Sequence, residues 1–173
     1  MRYLLPVAVL AGILLLFVFG LHHDPKLVPS PLIGKPAPAF DLPTIDAVQP
    51  RMTLAELRGA PVLVNFFASW CEGCQVEHPF LMQLAQNPQV RLIGVDYKDA
   101  ASDLRTWLQH RGDPYATVLA DLDGKTGIDW GVYGVPETFV LDAAGTIVYK
   151  QVGPLTPEVW EQHIQPLLAG ARS

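Results

Sequence analysis

Both cysteines of this 173-residue chain lie in one stretch, Trp70-Cys71-Glu72-Gly73-Cys74, so any thiol chemistry has to occur there. Immediately before it, Pro61-Val62-Leu63-Val64-Asn65-Phe66-Phe67 is an apolar run of the length of a strand buried on both faces. Immediately after it, Gln75 to Gln86 reads as a helix. A C-x-x-C at a strand-to-helix turn puts its first sulfur at the helix N-terminus, where unpaired N–H groups and the dipole favour a thiolate. That is the arrangement of a redox dithiol. As a structural staple the pair is weaker, because a bridge closing so short a loop gains only about 2 kcal/mol from chain entropy.

Around that stretch the chain has room for one domain of ordinary size and an appendage, with half of its residues hydrophobic. Arg2 is the only charged side chain before Asp24, and the remainder carries 11 Lys+Arg against 17 Asp+Glu. An acidic surface without basic runs argues against nucleic-acid binding.

Leu4 to Leu21 has no charged residue, and its 18 positions would rise ~27 Å as a helix, close to the hydrocarbon thickness of a bilayer. The expectation is an uncleaved signal anchor with residues 1–3 cytoplasmic and the rest exported. A cleaved signal peptide is disfavoured by the length of the run and by Val18-Phe19-Gly20, a poor cleavage site. Residues 22–38 read as a proline-rich linker, with Pro25, Pro29, Pro31, Pro36 and Pro38 favouring extended structure. His22 and His23, without other ligands nearby, read as a solvated juxtamembrane pair.

Residues 39–173 form the expected globular domain. Ala39 to Leu42 suggests a short strand, and Thr53 to Gly59 a helical turn capped by Thr53 with Glu56 three residues on. Val90 to Asp96 reads as a strand that makes a parallel strand-helix-strand unit with Val62 to Phe67. Helices are expected over Ser102–His110, weakly over Gly124–Trp130, and from Pro157 to about Leu168, with a strand at Ala116–Ala120. Glu137–Leu141 and Thr146–Lys150 flank Asp142-Ala143-Ala144-Gly145 as a hairpin.

The W-C-x-x-C after a buried strand, Pro79 eight residues beyond Cys71, and Val135-Pro136-Glu137 leading into the hairpin together resemble the thioredoxin superfamily. Within it, Gly131-Val132-Tyr133-Gly134-Val135-Pro136-Glu137-Thr138-Phe139 resembles the signature of the disulfide interchange proteins of cytochrome c maturation, the DsbE/CcmG type. Cys74-Gln75-Val76-Glu77-His78 and Asp96-Tyr97-Lys98-Asp99 match that type too. The resemblance implies an α/β thioredoxin fold with a short N-terminal extension and a central helix-strand insertion at Ala100–Asp123, preceded by one transmembrane helix. It further implies a monomeric, membrane-tethered periplasmic reductase, with apocytochrome c as client and a membrane thiol reductant as electron donor. No cofactor is implied beyond the Cys71–Cys74 disulfide. It also implies a cis peptide before Pro136, which by composition alone would be expected in trans.

In this reading Cys71, exposed at the helix start, is the nucleophile and Cys74 resolves the mixed disulfide. Trp70, Val135, Pro136 and Glu137 form the substrate face. Asn65 stands where thioredoxins commonly carry a buried aspartate. Glu77, three residues after Cys74, is therefore the candidate for handling its proton. Glu72, Glu77 and Glu137 are expected to surround the dithiol with negative charge and to make the couple reducing. A zinc site built on Cys71, Cys74 and His78 lacks a fourth ligand, so no metal is expected. Gln75 rules out a C-x-x-C-H haem attachment site. The alternatives are a general periplasmic thiol reductase and a non-redox module that binds apocytochrome or metal.

Overall fold

The computed structural model describes residues 4–21, 30–45 and 50–170. Residues 1–3 and the first part of the expected linker, residues 22–29 with His22 and His23, lie outside the described residues. The first helix, α1 (Leu4–Leu21), has 18 residues and no charge. Counted over the described residues alone, no helix is long and apolar enough to cross a membrane. The whole of α1 nonetheless matches the apolar run, with Val9, Leu10 and Ile13 to Val18 presenting exposed side chains.

The first two strands, β1 (Asp41–Pro43) and β2 (Arg51–Thr53), pair antiparallel. Thr53 then caps a single 3₁₀ turn, Leu54–Leu57, as its pattern predicts: its N–H and its hydroxyl both donate to Glu56 Oε2, at 2.6 and 3.0 Å. Then follow β3 (Val62–Phe67), α2 (Glu72–Leu84), β4 (Leu92–Tyr97), α3 (Ala101–Arg111), β5 (Thr117–Asp121), α4 (Lys125–Asp129), β6 (Glu137–Leu141) and β7 (Ile147–Val152). A helical run over 157–170 ends the described chain. It has a π-turn, Trp160–Ile164, just before Pro166, whose missing N–H cannot continue the α pattern.

Five strands make one sheet in the order β5-β4-β3-β6-β7, with β3, β4 and β5 parallel and β6 and β7 antiparallel. The central strand β3 is buried at all six positions, as a continuous apolar run requires. Its alternating side chains supply two cores. Leu63 and Phe67 face α2, α3 and the C-terminal run through Leu81, Leu104 and Ile164. Val64 and Phe66 face the N-terminal residues, the 3₁₀ turn and Trp130.

The proline-rich segment departs from its expected role as a spacer. After a turn at 31–34, residues 34–37 lie along the β6–β7 hairpin: Gly34 N donates to Ile147 O (2.8 Å), Ile147 N to Lys35 O (3.0 Å) and Ala37 N to Gly145 O (2.9 Å). Folded structure therefore begins before residue 39. Prolines suit such a strap because each of their neighbours can bond the hairpin while the prolines themselves need no donor partner.

Candidate active site

The dithiol sits where β3 ends and α2 begins. Cys71 is the N-cap of α2, and its sulfur accepts from Cys74 N at 3.0 Å, so the nucleophile position is bonded to the first turn of the helix. The two cysteines are joined as a disulfide with their Cα atoms 5.3 Å apart. Cys71 is only 4% exposed and Cys74 2%, so the expectation of an exposed Cys71 does not hold for the disulfide form. Both sulfurs are turned inward to the core that holds Ala68 and Leu155. The first turn of α2 is also covered: a Cβ added to Gly73 would come within 2.9 Å of Pro136 Cδ and 3.6 Å of Pro154 Cγ. Glycine between the cysteines is thus what allows Pro136 to lie against the first turn of α2. The Val135–Pro136 peptide is cis. Trp70 is 59% exposed and marks the open side of the site, its Nε1 donating to Lys98 O at 3.3 Å.

Glu77 follows one turn below Cys74 and is 1% exposed. Its Oε1 accepts from Asn65 Nδ2 (3.0 Å) and its Oε2 from Leu155 N (2.7 Å). Asn65 occupies the middle of β3, in register with Gly94 and Thr138. Its Nδ2 also donates to Thr138 Oγ1 (3.0 Å), and its Oδ1 accepts from Tyr115 OH (2.8 Å). Burial pushes the Glu77 pKa from 4.5 up to about 7, and the bonds from Leu155 and Asn65 withdraw only part of that rise. A carboxyl near 7, one helical turn from the resolving cysteine, is suited to exchanging a proton at neutral pH.

A second buried acid lies on β4. Asp96, in register with Phe67, is 0% exposed, and burial, then the charge of Asp99 and a hydrogen bond with it, raise its pKa from 3.8 to about 8. Neither Asp96 oxygen finds a donor among its neighbours. An acid left so has every reason to keep its proton, because the buried carboxylate would be charged and without a donor. Asp99 in turn accepts from Ser69 N at 2.6 Å and Ala100 N at 2.8 Å, tying the turn before Cys71 to the start of α3.

Glu137 does not surround the dithiol with charge. Side chains alternate along β6, so Thr138 points to Asn65 and Glu77 while Glu137 points to the opposite face with Phe139. There it is 0% exposed and paired with Lys150, Nζ to Oε2 at 2.8 Å. Glu72 is exposed to solvent. The expected ring of three negative charges is therefore corrected: Glu137 is neutralised and turned away, and Glu77 holds a proton for much of the neutral range. His78 Nε2 lies 3.2 Å from Arg111 O, engaged with α3 rather than with the sulfurs. Among the described residues, no group of three or more His, Cys, Asp or Glu is placed to hold a metal ion.

The site thus brings together Trp70, Cys71, Cys74, Glu77, Val135 and Pro136, with Glu137 behind them. Sequence reasoning missed Tyr115, Thr138, Leu155, Asp96 and Lys150. Of these, only Asp96 had a signal, as an acid directly at the end of the apolar run Leu92-Ile93-Gly94-Val95.

The sequence model of the Redoxin family matches residues 32–164. The chain is 46% identical over 168 residues to a thiol:disulfide interchange protein DsbE of Allochromatium vinosum, covering 97% of this chain and 93% of that one. It is 45% identical over 168 residues to the thiol:disulfide interchange protein HelX of Rhodobacter capsulatus, covering 96% and 94%. A solved Chlorobium tepidum structure carrying the DsbE name superposes with a TM-score of 0.69 at 27% identity, covering 79% of this chain and 95% of that one.

Proposed function

The chain belongs to the Redoxin family and carries out dithiol–disulfide exchange through Cys71 and Cys74, and from that premise we propose that it is a membrane-anchored periplasmic reductase that reduces the C-x-x-C-H disulfide of apocytochrome c for haem attachment. The observation that carries this reading is Pro136 set against Gly73 between the two cysteines, within the segment Gly131–Phe139 that resembles the cytochrome c maturation type. The exposed Trp70 and the backbone at Val135 offer an extended polypeptide a bonding edge beside the disulfide.

In the reduced protein the Cys71 thiolate, favoured by its place at the N-terminus of α2, attacks one sulfur of the client disulfide. A Cys71–client bond forms and the other client sulfur leaves as thiolate. Cys74 gives its proton to Glu77 and attacks the Cys71 sulfur, which forms the Cys71–Cys74 bond and expels the second client thiolate. Two electrons have passed to the client, and a membrane thiol reductant returns them. No cofactor beyond the cysteine pair is needed, and a monomer suffices. The helix Leu4–Leu21 serves as an uncleaved anchor in the cytoplasmic membrane, which keeps the domain in a compartment where disulfides otherwise persist.

Cys74→Ser tests the reading by leaving the mixed disulfide unresolved in cells. Apocytochromes with C-x-x-C-H sites should dominate the trapped proteins. A pool without them points instead to a general thiol reductase, and normal function of Cys71→Ser to a non-redox module.

A further inference from the structure

The cation paired with Glu137, Lys150, sits on β7 opposite Phe139, and only 3% of its side chain is exposed. Its Nζ donates to Gly131 O at 2.7 Å as well as pairing with Glu137 at 2.8 Å. Glu137 Oε1 accepts from Tyr133 N at 3.0 Å. The pair therefore holds the loop 131–135 at two backbone atoms, one through each partner. The Tyr133 ring lies 4.3 Å from Nζ and closes the solvent side of the ammonium. Beyond Val135 the chain leaves this clamp, and Pro136 meets Gly73 on the other face of the sheet. Gly131, at φ +65°, makes the turn that brings its carbonyl to the lysine.

We propose that Lys150, with Glu137, is a positioning residue that sets the shape of loop 131–135 and thereby the fit of a polypeptide disulfide to the Val135–Pro136 edge, without altering the intrinsic reactivity of the dithiol. The separation of roles follows from the sheet. The ion pair lies on the face away from the sulfurs and carries no net charge, so its field at Cys71 is weak, whereas its grip on the loop is direct. The inference rests on the reductase reading only in taking a polypeptide disulfide as substrate.

The test compares two substrates of the reduced protein: a synthetic peptide closed by a C-x-x-C-H disulfide, which needs the edge, and hydroxyethyl disulfide, which does not. In Lys150→Gln the peptide kcat/KM should fall about tenfold, carried by KM, with the small disulfide within about twofold of the parent. In the charge-neutral double variant Lys150→Gln/Glu137→Gln the Cys71–Cys74 reduction potential should not move, and Lys150→Arg should restore most of the peptide rate. Should Lys150→Gln fail to fold, the double variant Lys150→Gln/Glu137→Gln leaves no lone buried charge and is read by the same peptide-to-small-disulfide ratio. An equal fall for both substrates, a shifted potential in the double variant, or an unchanged ratio overturns the proposal. The parent's preference for C-x-x-C-H over a scrambled disulfide peptide is a separate reading: its absence would count against the cytochrome assignment and leave the ratio test standing.

Discussion

At neutral pH Glu77 is divided between its two protonation states, because burial lifts its pKa to about 7 while two hydrogen bonds keep the carboxylate in place. On the proposal that Glu77 takes the proton of Cys74, resolution needs the carboxylate, and the native rate should fall as the pH drops below about 7. Glu77→Gln should resolve the mixed disulfide at least about tenfold more slowly and lose that acid limb, which stopped-flow at several pH values would reveal. A Gln variant that keeps both rate and pH profile would remove Glu77 from proton transfer. Asp96 has a different consequence, on stability. Its pKa is raised from 3.8 to about 8, so across that window the native state holds a proton that the unfolded chain has released. The native state then binds more protons than the unfolded one, and stability must fall as the pH rises from about 4 to about 8. Asp96→Asn should flatten that decline, by at most about 1.4 kcal/mol per pH unit, and should be more stable than the parent at pH 8 and above in denaturant titrations. An Asn variant with the parent's slope would mean that Asp96 is already ionised in the fold.

The elements were largely legible in the sequence because their signals are local. The six-residue apolar run of β3, the capping pair Thr53 and Glu56, and the hairpin around Asp142–Gly145 each carry their own pattern, and each forms as its pattern predicts. The dithiol was legible for the same reason, whereas Pro136 stood out only through the resemblance of Gly131–Phe139 to a family segment. What could not be read is the direction a side chain takes within a buried strand: Thr138 joins Asn65 on one face while its neighbour Glu137 turns to the other, and no nearby residue announces it. The strap at 30–38 was misread because proline-rich composition describes both a free spacer and an extended segment docked on a hairpin. Trp130 shows how the docking is secured. It is fully buried at the end of α4, packs its ring 5.5 Å from Phe66 and 5.1 Å from Phe139, and donates from Nε1 to Pro38 O at 3.1 Å. Trp130→Ala should cost about 3–5 kcal/mol. Trp130→Phe should keep much of the packing but lose about 1 kcal/mol with the bond to Pro38. If Trp130→Phe matched the parent in chemical denaturation, the strap would be held by its hairpin bonds alone.

For the molecule as a whole, the folded domain and the apolar helix obey different solvents. The domain encloses its own core on both faces of the sheet, so it has no need of the helix to fold. The helix has the reverse character: its described side chains are apolar and exposed, Leu15 at 70% and Leu16 at 75%, with no charged residue among its 18 positions. In water such a surface would drive aggregation, and in a bilayer it is already satisfied. Deleting residues 1–21 should therefore give a soluble domain with the parent's melting temperature and its hydroxyethyl disulfide reductase rate, while the full chain stays in the membrane pellet through alkaline carbonate extraction. Clients reached from solution should be reduced equally well by both forms. Clients presented at the membrane should be reduced more slowly by the untethered domain, because the tether replaces a bimolecular encounter with a local one at raised effective concentration. Recovery of the full chain in the carbonate supernatant would mean that Leu4–Leu21 does not span the bilayer, whatever the chemistry of the domain behind it.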